Sequence, residues 1–264
     1  RHGDLLLDTY LVLTLPTIWS PILPPATTTT NWRPYEFKWI HNIGSQMIRK
    51  VHFYIGGHLI QSFTGQYMYN MVERDFSEAK KKLYYEMTGN IPELNDPANA
   101  FNRNGKYPNA YFMGGSTCEG AEPSIRGRNL YIPLNIWFTL VSKMAFPLAS
   151  LQYSELEIEI EIRPVSELFV IRDPSPTAQP EYSISSVSNH PDTILGSRKS
   201  VIDKTSYIRP SFNDNLHQLY RFLHPPPSVR LETEDYPDTR TEWQSDIHLL
   251  STYAFLTNEE VKTF

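Results

Sequence analysis

Cysteine is nearly absent: the 264-residue chain has one, Cys118. A single thiol excludes an internal disulfide framework and a multi-cysteine zinc site. Positive charge is not in excess either. Lys+Arg number 24 against 29 Asp+Glu, a formal net charge of -5, which argues against bulk binding of nucleic acid. No apolar run approaches the ~20 residues that a membrane-spanning helix requires, and no Asn-x-Ser/Thr glycosylation acceptor occurs. Glycine is scarce at 12 residues beside 21 prolines, a balance that suits loops between strands better than helical bundles. What remains is 40% apolar and 13% aromatic, enough for one large all-β domain or two small ones with a real core.

The clearest pattern lies in residues 130–163. An aromatic strand is predicted over 131–138, a turn at Phe146-Pro147-Leu148, and then a strand that alternates without exception. Leu156, Ile158, Ile160 and Ile162 are apolar, with Glu155, Glu157, Glu159 and Glu161 between them. Strand side chains point to opposite faces with period 2, so the apolar set is expected in a core between sheets and the glutamates outside it. A one-residue slip would bury the glutamates, so the register is strongly specified.

The rest of the chain reads as strands and loops with one substantial helix. Leu5, Leu7, Leu11, Leu13 and Leu15 place a strand over 5–15, and Tyr35, Phe37 and Trp39, alternating with Glu36 and Lys38, place a second. A single helical turn is expected near 45–49. Residues 51–62 read as a hairpin turning at Gly56-Gly57, because a two-residue turn needs positive φ at both central positions. Thr64 is a candidate cap for a helix over 65–87, with Met68, Val72, Phe76, Ala79, Leu83 and Met87 as its apolar stripe. Residues 89–127 dissolve into Pro, Asn and Gly, and 173–200 are Pro/Ser-rich. The apolar residues of the first loop, Tyr107, Tyr111, Phe112 and Met113, are expected to dock on the barrel wall or a neighbouring subunit. Ile247, Leu249, Ser251, Tyr253 and Phe255 mark a last strand, and Thr257 with Glu260 forms a capping-box pair beyond it. Both ends look cut, as in a piece of a longer polypeptide.

No catalytic, cofactor-binding or metal set emerges. His52 and His58 flank the hairpin without an accompanying carboxylate motif. Alternate glutamates on one strand rarely wrap a single calcium ion. Glu232, Glu234, Asp235 and Asp238 form an acidic loop with no further support for a cation, and Cys118 lacks a neighbouring group that would lower its pKa. The residues read as a non-enzyme.

Four strings carry the reading further. Arg1-His2-Gly3-Asp4-Leu5-Leu6, Ile55-Gly56-Gly57-His58-Leu59-Ile60, Leu130-Tyr131-Ile132-Pro133-Leu134 with Trp137-Phe138 and Phe146-Pro147-Leu148-Ala149-Ser150-Leu151-Gln152-Tyr153, and Tyr253-Ala254-Phe255-Leu256-Thr257-Asn258-Glu259-Glu260 resemble, in this order, segments of the major capsid proteins of nucleocytoplasmic large DNA viruses. His2 stands where that family commonly has Asn. The resemblance implies an all-β double jelly roll. Residues 1–256 would be its first jelly-roll domain, without the opening strand and with one helix and long loop insertions. Residues 257–264 would begin a helix or linker toward a second jelly roll. It further implies a homotrimer forming pseudo-hexagonal capsomers of an icosahedral virion shell, assembled in the host cytoplasm. Neighbouring capsomers and minor capsid proteins would be the partners, with no cofactor, no direct nucleic-acid binding and no transmembrane segment. The rivals are a jelly-roll carbohydrate-binding or other binding module, and an enzyme on the same scaffold. A binding module should expose clustered aromatics, whereas Tyr131, Trp137 and Phe138 are expected in the core.

Overall fold

The computed structural model describes residues 3–20, 22–23, 33–105, 107–110, 123–151, 153–172, 207–224 and 245–261. Strand β1 (Leu5–Leu15) is the spine of the first sheet. It pairs antiparallel with β12 (Ile247–Ala254) on one side and β7 (Arg128–Pro133) on the other, and β8 (Phe146–Pro147) extends the pairing at Leu5 and Leu6. A second sheet has the order β6-β5-β9, with β5 (Ile48–Ile55), β6 (His58–Phe63) and β9 (Leu156–Ile162). A third joins β4 (Phe37–Trp39), β10 (Phe169–Arg172) and β11 (Tyr207–Ile208), while β2 (Ile22–Leu23) and β3 (Arg33–Pro34) form a small pair. One buried cluster draws on all three larger sheets, through Leu11 and Leu13, Val51 and Phe53, and Phe37, Trp39 and Phe169.

The first strand departs from simple alternation. Leu6 pairs with Tyr253 and Thr9 with Ser251, so β1 carries one extra residue between them. Such a bulge reverses which parity faces inward. Leu6 is buried before it, and Thr9, Leu11, Leu13 and Leu15 after it. The single leucine face expected over 5–15 is therefore split, with Leu5 and Leu7 half-buried.

The Gly-Gly hairpin forms as expected. Gly56 and Gly57 have φ of 55° and 79°, and Ile55 pairs with His58. Thr64 caps α2 (Gly65–Asp75), its side chain accepting from Tyr67 N at 3.2 Å. Gly65 itself is required by contact, since a Cβ there would lie 1.9 Å from the Ser45 carbonyl oxygen. That oxygen belongs to α1 (Ile43–Gln46), the short helical turn, which starts two residues earlier than expected.

The single helix expected over 65–87 is two helices. Phe76 and Ser77 take extended backbone (ψ 141° and 158°), and α3 (Glu78–Thr88) restarts beyond them. Ser77 is a favoured N-cap residue type and Glu78 suits the positive end of the new helix, so a restart costs little. The break rotates the apolar stripe. Met68 and Val72 stay buried, but Leu83 is 60% exposed, and Tyr84 and Thr88 take its place inside. Tyr84 and Ser45 share a hydrogen bond of 2.8 Å, and burial raises the Tyr84 phenol pKa.

Strand β9 pairs with β5 over Ile48–Ile55, opposing Phe53 to Ile158 and His52 to Glu159. Its glutamates are exposed, as alternation demands. Its apolar side chains line the core's edge rather than its centre: Leu156, Ile158 and Ile160 are half-buried, and Ile162 is 38% exposed. The reason is position, because β9 is the last strand of its sheet. Ile160→Ala is accordingly expected to cost about 2 kcal/mol, the low end for a deleted isoleucine, and a urea unfolding midpoint reads it directly. No shift in that midpoint would place Ile160 outside the core.

The strand expected over 131–138 ends at Pro133, and Trp137–Thr139 form a 3-10 turn. Four positive-φ residues, Phe101, Asn102, Asn104 and Gly105, shape the loop after the short helix α4 (Pro92–Asn95). Tyr107 docks on its own barrel: it is buried, and its hydroxyl lies 2.9 Å from Ser20 Oγ and accepts from Phe37 N at 3.2 Å. Tyr111, Phe112, Met113 and the loop 173–200 lie outside the described residues.

Candidate interaction surfaces

The residues weighed for chemistry do not converge. The hairpin register pairs His52 with Ser62 and His58 with Ile55, so the two histidines do not face each other. His52 Nε2 instead lies 3.8 Å from Glu161 Oε1. Among the described residues, no group of three or more His, Cys, Asp or Glu could hold a metal ion. No helix there is long and apolar enough to cross a membrane. Cys118, Glu232, Glu234, Asp235 and Asp238 lie outside the described residues.

Alternation missed a buried ionic cluster. Glu36, read as the polar face of a strand, is 1% exposed, and Arg172 is 3% exposed. Arg172 Nε donates to Glu36 Oε2 at 2.9 Å, and the Tyr207 hydroxyl donates to the same oxygen at 2.7 Å. Burial, followed by the Glu36 carboxylate, pushes the Tyr207 phenol pKa far up, so it stays a donor. The cluster ties β11 and β10 to the loop entering β4. The pair holds these strands together through a desolvated, charge-assisted hydrogen bond. The signal exists only in the fold, where β10 pairs with β4.

Two apolar regions face outward. On β12, Ile247, Leu249, Leu250 and Tyr253 are 39–49% exposed, and Phe255 beyond it is 78% exposed. Both faces of this strand are therefore open, and as the end strand of its sheet it also presents an edge. The second region is residues 137–144, where Trp137, Leu140, Val141 and Met144 are exposed. Trp137 N donates to Gln61 Oε1 at 3.3 Å, which sets this segment beside the strand carrying exposed Leu59 and Ile60. Apolar edges and patches of this kind mark surfaces that other protein covers.

The aromatic expectation needs correction. Phe138 is buried, packed at 5.4 Å from Phe53 and 5.6 Å from Phe146. Tyr131 and Trp137 are each 38% exposed. They sit on different elements, the former within β7 and the latter in the following turn.

Two concavities lie among the described residues. One, of about 340 Å³, runs between α3, the middle of β1 and the end of β7, where Leu83, Met87 and Tyr10 surround Asn135. Asn135 is 7% exposed and its Nδ2 has no hydrogen-bond partner. The other, of about 560 Å³, is lined by Phe101, Arg103, Arg126, Arg128 and Glu93.

Comparison with known proteins places this architecture. A family model described as "Major capsid protein N-terminus" matches residues 1–195. The chain is 29% identical over 187 residues to the major capsid protein of Chrysochromulina ericina virus, covering 63% of this chain and 31% of that protein. It is 27% identical over 172 residues to the major capsid protein of Frog virus 3, covering 65% of this chain and 33% of that one. A solved chain described as PBCV-1 VP54, fitted into a reconstruction of the virophage Sputnik, is 13% identical with a TM-score of 0.48, covering all of this chain and 38% of that one. The chain thus spans about a third of the length of the curated relatives it matches. With its antiparallel sheets packed over one core among the described residues and a family model covering most of its length, the chain belongs to the major capsid protein family and matches that family's N-terminal part.

Proposed function

We propose that the protein is a structural subunit of the virion shell of a large double-stranded DNA virus. In this reading three copies make a pseudo-hexagonal capsomer, and capsomers tile an icosahedral lattice. Family membership over residues 1–195 carries the reading. Physical support comes from the barrel. A dry core between sheets makes a stiff block, while exposed apolar side chains on β12 and at 137–144 suit burial against further protein.

Residues 1–256 are read as the first jelly-roll domain and 257–264 as the start of a linker toward a second. Thr257 supports the latter, since its N–H and hydroxyl both donate to Glu260 Oε2 at 2.8 Å, capping α5 (Asn258–Val261). The apolar β12 surface is then where the rest of the polypeptide packs. No catalytic residues, cofactor or metal are assigned, and minor capsid proteins and assembly in the host cytoplasm belong to the same proposal. Light scattering on the natural full-length polypeptide tests it: a particle of three subunit masses is expected, and a stable monomer at high concentration would overturn the trimer.

A further inference from the structure

Two charge features among the described residues lie on different sheets and have opposite sign. Glu157, Glu159 and Glu161 stand exposed along β9. Across the sheet, Glu157 is opposed by Tyr54, Glu159 by His52 and Glu161 by Lys50, so one lysine in that register faces three carboxylates. Glu159 accepts from the Tyr54 hydroxyl at 3.3 Å and Glu161 lies 3.8 Å from His52. Because β9 ends its sheet, nothing among the described residues pairs with its outer edge.

The positive feature is the 560 Å³ cavity that Arg103, Arg126 and Arg128 line together. Arg126 and Arg128 are exposed, and among the described residues no carboxylate comes within ion-pair distance of any of the three arginines. Their contacts are weak ones. Arg128 reaches the Glu86 carbonyl at 3.4 Å and Arg103 the Pro97 carbonyl at 3.2 Å. Arg103 also lies 5.1 Å from the Phe101 ring, which is held 71% exposed at a φ of 52°. Left-handed backbone at a phenylalanine is strained, and strain of this kind gathers at binding sites. Glu93 is the one carboxylate lining the cavity, leaving a net positive bowl.

The spacings agree. The Ile18–Ile125 bridge continues the β1–β7 register, so the segment carrying Arg126 and Arg128 is extended. Alternate residues of an extended segment are about 7 Å apart, and the same pitch separates Glu157 from Glu159. Guanidinium forks recognise carboxylates at such positions, one fork to each.

We propose that a second copy of this chain lays its β9 glutamate row into the arginine bowl. The proposal rests on the shell-subunit reading above and names one contact within it. Since bowl and row are different surfaces, the contact is head-to-tail, so repetition either closes a ring or propagates along a lattice. Exposed charge pairs are screened by salt, so this contact weakens as ionic strength rises.

The test uses the full-length protein in three forms: wild type, Arg126→Glu/Arg128→Glu, and Glu157→Arg/Glu159→Arg. Sedimentation velocity at low and high salt reads self-association. Each reversed form is expected to associate about tenfold or more weakly than wild type, because like charges now oppose each other. An equimolar mixture of the two should recover association that neither shows alone. Neutral versions, with Gln at the same positions, serve if a reversed form fails to fold, and should show a smaller loss than reversal and a flatter salt dependence than wild type. Variants that assemble like wild type, or a mixture no stronger than its components, would overturn the proposal. Wild type that never self-associates would remove the shell reading itself, a result distinct from a failed charge swap.

Discussion

Replacing Phe53 with Ala is expected to lower the unfolding free energy by about 3–5 kcal/mol. Phe53 is fully buried on the middle strand of its sheet. Its ring centre lies 5.4 Å from Phe138 and 5.9 Å from Phe146, and Phe146 pairs with Leu6 of the other sheet. The side chain therefore joins the two sheets, and truncation opens a cavity that β-strands fixed by their ladders cannot collapse to fill. Urea denaturation measures the loss. Phe212, 88% exposed, supplies the contrast, since its replacement by Ala should change stability by less than about 0.5 kcal/mol. Equal costs at the two positions would contradict the placement of the core.

The second large effect concerns the ionic clamp. Arg172→Met is expected to cost about 3–5 kcal/mol, because the buried Glu36 carboxylate loses the guanidinium that donates to it at 2.9 Å. The double variant Glu36→Leu/Arg172→Met should regain most of that loss, falling short by about 1 kcal/mol for the Tyr207 hydroxyl left without its acceptor. A double variant as unstable as Arg172→Met alone would mean that packing, and not an uncompensated charge, sets the cost. A fully satisfied buried pair of this sort adds little net stability.

How much of this was legible in the sequence follows from where local pattern decides the outcome. Leu156 to Ile162 alternate because one face of β9 is wet, and Gly56-Gly57 turn because only glycine adopts two successive positive φ angles without cost. Those elements were readable from neighbours alone. Three others depended on distant residues. The bulge in β1 follows from how Ser251 and Tyr253 sit against Thr9 and Leu6, and no local signal marks it. The break at Phe76-Ser77 was hidden by an apolar stripe that runs through it at helical spacing. Glu36 looked outward until Arg172, distant in sequence, was placed beside it. The arginine bowl is legible only in space, because Arg103 is brought to Arg126 and Arg128 by a loop whose sequence shows turns and nothing more. Tyr131 and Trp137 were placed in the core from their composition, whereas their exposure is decided by where β7 ends.

The proposed role as a wall unit of a virus shell is tested most directly by electron cryomicroscopy of purified particles. The predicted result is shell density into which the β6-β5-β9 and β12-β1-β7 sheets fit in sequence register. Ring density for Trp39, Phe53 and Phe138 should lie between the sheets, and further protein should cover the exposed side chains of β12. Particles whose shell density fits another sequence, with this protein absent from it, would contradict the account.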